Sequence, residues 1–193
     1  MHILDKKHIA IFASGSGSNA RKILEYFEGR DNISVALILT NKHSAGVLAH
    51  AKEFDVPTLR IDRPFFYDSQ SILDVLEIEK VDLIVLAGFL WLIPNYLIEA
   101  YPNKIVNIHP ALLPKYGGKG MYGHHVHEAV KDNGDSESGM TIHYVNEKFD
   151  EGNHIFQAKC DLEESDTAED ISKKVLVLEH RHYASVIDDI LSE

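Results

Sequence analysis

His8-Ile9-Ala10-Ile11-Phe12-Ala13-Ser14-Gly15-Ser16-Gly17-Ser18-Asn19 is the stretch that decides the fold. Its apolar start, His8 to Ala13, has the length of a buried strand rather than a helix. The run from Ser14 to Ser18 breaks it with two glycines, and a helix is predicted from Asn19 to about Phe27. Strand, glycine-rich turn and helix follow one another without a spacer.

The alternation continues downstream. Ser34 to Thr40 is a second strand, Ala45 to Phe54 a helix closed before Pro57, and Pro57 to Ile61 a short third strand. Ser69 to Glu79 is amphipathic, with Ile72, Leu73, Val75 and Leu76 on one face. Leu83 to Ala87 is a near-continuous apolar run, as a strand buried on both faces requires. Such alternation predicts an α/β fold with a parallel sheet and right-handed crossovers. In the second half, Ile105 to Ile108 is another central strand, and the proline- and glycine-rich stretch Pro110 to Gly123 is a loop. A helix is predicted over His124 to Lys131. Met140 to Val145 and His154 to Lys159 are strands flanking the turn Asp150-Glu151-Gly152. Thr167 to Leu191 is a long helix with an apolar stripe through Ile171, Val175, Leu178, Val186 and Ile190. Thr167 and Asp170 form a capping box at its start.

Bulk properties narrow the function. A chain of 193 residues can close one full core, and no repeat, low-complexity run or linker divides it, so residues 1–193 read as a single domain. The composition, 45% hydrophobic and 25% charged, is that of a soluble globular protein. No stretch is apolar enough to span a bilayer, so no membrane partner is expected, and Met1 to His8 is short, polar and charged, unlike a secretory signal. The one cysteine, Cys160, leaves no intramolecular disulfide and fits a cytoplasmic location. A net charge of −11 argues against nucleic acid and leaves small-molecule substrates. A phosphate on such a substrate must be held by local backbone donors, not by the global field. Nothing in the sequence fixes an oligomeric state.

Two groups of residues carry chemistry. Gly15, Ser16, Gly17, Ser18 and Asn19 sit where a strand turns into a helix, and free N–H groups there favour an anion. The pattern lacks the third glycine of a dinucleotide site and the lysine of a P-loop. A bare tight turn is the alternative, but the serine and Asn19 donors favour a monophosphate. The second group is Asn107, His109 and Asp150. Period-two alternation puts Asn107 and His109 on one side of a central strand, at the edge where parallel sheets bind ligands. An asparagine amide stabilises an oxyanion, and a histidine donates or exchanges a proton. Asp150, at a hairpin end able to fold back, would hold His109 charged and accept a proton from an attacking amine. Singly, each is as easily a structural side chain, and the combination carries the reading.

These motifs, with Leu86-Ala87-Gly88-Phe89, Asn107-Ile108-His109-Pro110 and Leu112-Leu113-Pro114-Lys115-Tyr116, resemble the folate-dependent formyltransferases. The Gly-Ser-Gly-Ser-Asn loop resembles the phosphoribosylglycinamide branch of that family, and the likeness runs from about His8 to the last helix. The resemblance implies a Rossmann-like, mostly parallel sheet with helices on both faces. It implies transfer of a formyl group from 10-formyltetrahydrofolate, the co-substrate, to the amine of 5′-phosphoribosylglycinamide in purine synthesis, with no metal. By position it implies Asn107, His109 and Asp150 as catalytic residues and Gly15 to Asn19 as the phosphate site. It further implies Glu179 on the ribose, Leu90, Trp91, Leu92 and Ile93 with the backbone near Val145 to Asp150 as a pterin pocket, and His143 in support. The rivals are formyl transfer to another amine, deformylation of the folate, and a ribonucleotide-binding module without chemistry. His124, His125 and His127 read as a solvated helix rather than a metal site. His182 reads as an interface or core histidine, Met121 and Tyr122 as lid residues or plain loop, and Trp91 equally as core or pocket wall.

Overall fold

The computed structural model describes residues 6–192. Most of the segment Met1 to His8, read above as unlike a leader, lies outside the described residues.

Seven strands form one sheet. The first five, β1 (Lys7–Phe12), β2 (Ile33–Thr40), β3 (Thr58–Arg60), β4 (Leu83–Leu86) and β5 (Ile105–His109), run parallel. Antiparallel β6 (Glu137–Tyr144) and β7 (His154–Asp161) complete it. The spatial order is β3-β2-β1-β4-β5-β6-β7. The chain therefore builds outward from β1 to β3, then crosses back to place β4 on the other side of β1. That reversal is a topological switch point, and the crevice outside the carboxyl ends of β1 and β4 is the natural ligand site of such a sheet.

Helices cover both faces: α1 (Ser18–Phe27), α2 (Val47–Glu53), α3 (Ser71–Ile78), α4 (Asn95–Ala100), α5 (His124–Asp132) and α6 (Ala168–Ser192). Alternation along β1 feeds the two layers. Ile9 and Ile11, followed by Ala13, pack with α1 residues Ile23 and Phe27 and with α6 residues Val175 and Ile187. Ala10 and Phe12 pack with Phe66, Ile72, Leu76 and Leu97 on the opposite face. No helix among the described residues is long and apolar enough to cross a membrane.

Four details differ from the sequence expectation. A π-helical turn at Pro64–Asp68 and the short helix α4 were not foreseen. Both are too short to show a period, and each starts at or just after a proline; burial of Phe66 and Leu97 fixes them. The innermost line of α6 runs through Ile171, Val175, Glu179, Tyr183 and Ile187, not through Leu178. Steps of four residues set that line, and it admits a carboxylate and a phenol that hydropathy alone would place outside. Strand β6 begins at Glu137 rather than Met140, because its pairing with β7 extends to Glu137 opposite Asp161. The capping box is present: Thr167 Oγ1 accepts from the Asp170 N–H at 3.2 Å, and Asp170 Oδ2 accepts from the Thr167 N–H at 3.1 Å.

Tyr183 pins α6 to the centre of the sheet. Its fully buried hydroxyl lies 2.9 Å from the carbonyl oxygen of Leu86, which ends β4, and 3.3 Å from that of Val106, the second residue of β5. Tyr183→Phe removes this donor without changing the ring. Urea unfolding should show a loss of about 1 kcal/mol, the net worth of a neutral hydrogen bond; an unchanged midpoint would mean that the hydroxyl contributes nothing.

Candidate active site

A cleft of about 480 Å³ opens at the carboxyl ends of β4 and β5. Asn107 and His109, alternate residues of β5, both reach it, as the strand period requires. One wall follows β4 and includes Leu90, Trp91, Leu92 and Ile93. Trp91 is both wall and core: its ring lies 5.7 Å from Phe66 and 6.1 Å from Phe89. The β6–β7 turn supplies the facing wall with Val145, Phe149 and Asp150. Residues Gly118 to Gly123 border the same cleft, with Met121 and Tyr122 among them and the Tyr122 ring half exposed.

Asp150 is placed by its backbone. It adopts a left-handed conformation, φ 58°, which an aspartate tolerates better than most residues. Two positions on, a Cβ at Gly152 would stand 1.6 Å from the Tyr144 carbonyl oxygen, so only glycine lets the turn close this tightly. The carboxylate is 11% exposed and meets polar groups from several segments. Gly118 N–H donates to Oδ2 at 2.9 Å, and the Asn107 amide lies 3.5 Å from Oδ1. His109 Nδ1 is 3.5 Å from Oδ2, and His143 Nε2 is 3.6 Å from Oδ1. Burial alone would raise this carboxyl, but the His143 contact, the attraction of the His109 ring whenever it is protonated and the Gly118 N–H together hold it below its ordinary value. It is therefore ionised at neutral pH.

His143 stands directly opposite Asn107 in the antiparallel register of β5 and β6. Its Nδ1–H donates to the Tyr144 carbonyl at 2.8 Å, leaving Nε2 to accept from the Asn107 amide at 3.2 Å. The ring thus orients the asparagine. The supporting place inferred for His143 matches this position.

His109 differs from expectation. It was read as held charged by Asp150, but burial, the largest influence, pulls its imidazole below the ordinary value and outweighs the carboxylate. At neutral pH the ring is neutral. Its Nε2–H donates to the Tyr116 carbonyl at 2.8 Å, while Nδ1 turns toward Asp150. Tyr116 is the residue that sequence reasoning missed: it acts through a main-chain carbonyl, which no side-chain pattern reveals. Its own backbone is left-handed, φ 56°.

The glycine-rich loop lies beside the cleft, not in its wall. Ser14 joins it to the segment after β4: its N–H donates to the Gly88 carbonyl at 3.0 Å and its Oγ accepts from the Leu90 N–H at 3.1 Å. Gly17 has φ 79°, and a Cβ there would meet Val47 at 2.7 Å, so both conformation and packing demand glycine. No side chain caps α1, which leaves its first N–H groups free for an anion. The structure also brings Asn19 and Glu179 together, distant in sequence, with Asn19 Nδ2 donating to Oε2 at 2.6 Å. Burial pushes the Glu179 carboxyl up, against the opposing Asn19 bond.

Of the remaining histidines, His182 packs on the Phe156 ring at 4.9 Å, an interface role as expected. His124 and His125 are exposed, and each contacts Glu128, at 3.4 and 3.2 Å. His127 is not solvated. The turn of α5 carries it inward to 4% exposure, and its Nδ1 has no partner among the described residues.

A family model described as formyl transferase matches residues 7–187. The chain belongs to the formyl transferase family. It is 42% identical, over 97% of its length, to the chloroplastic phosphoribosylglycinamide formyltransferase of Arabidopsis thaliana, of which it covers 66%. The Bacillus subtilis phosphoribosylglycinamide formyltransferase is 37% identical over 96% of this chain and 95% of that relative. A crystal structure of the Bacillus halodurans protein of that name matches with a TM-score of 0.86 at 37% identity, covering 97% of this chain and 96% of the other. The chain thus spans just under two thirds of the plant relative and nearly all of the bacterial ones. Both the family read from the sequence motifs and the mostly parallel α/β sheet are borne out.

Buried His127 gives the family member a pH-dependent stability. Burial pushes its imidazole down to about 4, with the His124 and His109 charges adding to the effect. Above about pH 6.5, the unperturbed value, folded and unfolded chains are both neutral here and the contribution is complete. As pH falls from there, the unfolded chain binds a proton that the folded chain refuses, and stability drops. Between pH 7 and pH 5 the loss is on the order of 2 kcal/mol. In urea unfolding at the two pH values, His127→Leu should lose less stability than the parent by about that amount; parallel losses would refute this account.

Proposed function

We propose that this protein transfers the formyl group of 10-formyltetrahydrofolate to the amine of 5′-phosphoribosylglycinamide, a step of de novo purine synthesis. The observation that carries the reading is the convergence of Asn107, His109 and Asp150 in one cleft, from β5 and from a turn reached only through β6. In this reading Leu90 to Ile93 and Val145 to Asp150 hold the pterin, Gly15 to Asn19 take the 5′-phosphate, and Glu179 meets the ribose. The last two sets lie next to the cleft through the Ser14 bonds to Gly88 and Leu90.

The chemistry follows from which donors are free. The substrate amine attacks the formyl carbon on N10, and the formyl oxygen becomes an oxyanion. Of the two Asn107 amide hydrogens, one is committed to His143, while the contact to Asp150 is 3.5 Å, the limit of a hydrogen bond. That second N–H is the one that turns to the oxyanion. Collapse breaks the carbon–N10 bond, and one proton must pass from the amine to N10. Asp150, ionised and facing the cleft, accepts it, and His109 shares it through Nδ1. A proton on Nδ1 is stabilised by the carboxylate beside it, so the burial that keeps His109 neutral at rest is offset when the ring takes up the proton.

An absorbance assay of folate product, with 10-formyltetrahydrofolate and glycinamide ribonucleotide, tests the assignment. Turnover should require the amine, and Asn107→Ala should lower kcat on the order of 10²–10³-fold with KM little changed, as for loss of one oxyanion donor. Asp150→Ala should likewise act on kcat, and near-normal turnover in that variant would remove Asp150 from the mechanism. Folate released without the ribonucleotide would identify a deformylase. Ribonucleotide binding without turnover would identify a binding module.

A further inference from the structure

The main chain from Tyr116 to Gly118 touches both His109 and Asp150. The Tyr116 carbonyl accepts from His109 Nε2–H at 2.8 Å, and the Gly118 N–H donates to Asp150 Oδ2 at 2.9 Å. Between them, a Cβ at Gly117 would meet the Leu113 side chain at 2.6 Å and Asp150 Cβ at 3.3 Å. The segment does not hold itself in place. Tyr116 has φ 56°, a left-handed conformation that a bulky residue keeps only where its surroundings enforce it.

The enforcing group is Asp135. Its Oδ2 accepts from the Tyr116 hydroxyl at 2.9 Å, and the Lys115 ammonium lies 3.3 Å from the same oxygen. Asn133 Nδ2 donates to Oδ1 at 2.6 Å. These donors, the Tyr116 hydroxyl first, hold the carboxyl below its ordinary value, so it is ionised at neutral pH. Its own place is set by the end of α5. Asp135 follows the left-handed Gly134, φ 68°, its N–H donates to the Val130 carbonyl at 3.4 Å, and β6 begins two residues later at Glu137. Asp135 stands outside the cleft: with Lys115 and Tyr116 it lines a separate cavity of about 300 Å³.

His109 needs the Tyr116 carbonyl held. An ionised carboxylate is a stronger acceptor than a carbonyl, so a neutral imidazole free to choose would put its proton on Nδ1, toward Asp150. The short contact is the other one, 2.8 Å from Nε2 to the carbonyl against 3.5 Å from Nδ1 to the carboxylate. A carbonyl kept this close preserves the Nε2–H tautomer. Only that tautomer leaves Nδ1 open to take a proton from the attacking amine.

We propose that Asp135 is a positioning residue for His109: by gripping the Tyr116 hydroxyl it keeps the Tyr116 carbonyl on Nε2 and the Gly118 N–H on Asp150. The task given to His109 rests on the formyl-transfer reading above.

Nitrogen-15 spectra of histidine-labelled protein read the His109 tautomer directly and need no turnover. The parent should carry the proton on Nε2. Tyr116→Phe removes the grip while keeping the ring, and should move the proton to Nδ1 in a measurable fraction of molecules. Asp135→Ala should do the same, and if it fails to fold, Tyr116→Phe alone decides. Asp135→Asn retains an acceptor for the hydroxyl and should keep the parental tautomer. In the absorbance assay, Tyr116→Phe and Asp135→Ala should each lower kcat roughly tenfold with KM little changed, the scale of one neutral hydrogen bond. The double variant should fall no further than either single one, because both cut the same link. A parental tautomer in Tyr116→Phe, a parental kcat in that variant, or losses that add in the double variant would overturn the proposal. So would a parent with its proton on Nδ1. A tautomer that moves in a protein without formyl transfer would reject the reaction and leave the positioning role standing. Formyl transfer with a tautomer that no variant moves would do the reverse.

Discussion

The Asp150 side chain is 11% exposed, and an ionised carboxylate so far from water costs several kcal/mol unless protein donors replace its hydration. Much of the cleft can be understood as the answer to that demand. The Gly118 N–H comes from the loop after β5 and the Asn107 amide from β5 itself, while the His109 and His143 rings of β5 and β6 close around the carboxylate. Meeting one carboxylate therefore ties together a loop, two strands and the β6–β7 turn. The tight closure at Gly152 and the left-handed backbone of Asp150 bring the turn to where the donors are. Removing any donor would leave part of a buried charge uncompensated, so these segments hold their relative positions as a group.

The sheet decides where that group can form. Crossing back from β3 to β4 leaves the segments after β1 and β4 side by side, and the Ser14 bonds to Gly88 and Leu90 lock them. The glycine-rich loop and the cleft wall are thereby fixed to each other at the switch point. From the other side, Tyr183 on α6 holds β4 and β5, and four residues before it Glu179 bonds to Asn19 at the start of α1. One helix thus braces the strand that carries Asn107 and the loop proposed for the phosphate.

His109 shows how burial and pairing compete. Its Nε2–H is committed to the Tyr116 carbonyl, its Nδ1 faces Asp150, and burial keeps it neutral at rest. Both neighbours reach it from left-handed backbone positions, which carry modest strain and persist only where surrounding structure enforces them. The result is a neutral imidazole beside an ionised carboxylate, an arrangement ready to take a proton and with no proton to lose to water beforehand.

The sequence by itself determined the order of strands and helices, the parallel character of the first half, the placement of Asn107 and His109 on one side of β5, and the family. These follow from local periods, turn residues and contiguous motifs, which one stretch of chain states without reference to another. It missed the Pro64–Asp68 turn and α4, whose few residues display no period. It placed His127 in solvent and left Glu179 and Tyr183 off the inner line of α6, because a helix stripe read from hydropathy does not fix which residues face the sheet. Only the tertiary structure decided the charge of His109, the role of the Tyr116 carbonyl, the Asn19–Glu179 bond and the Tyr116–Asp135 bond. Each depends on burial and on groups brought together from separate segments, and neither a desolvation cost nor a main-chain acceptor is written in the order of side chains.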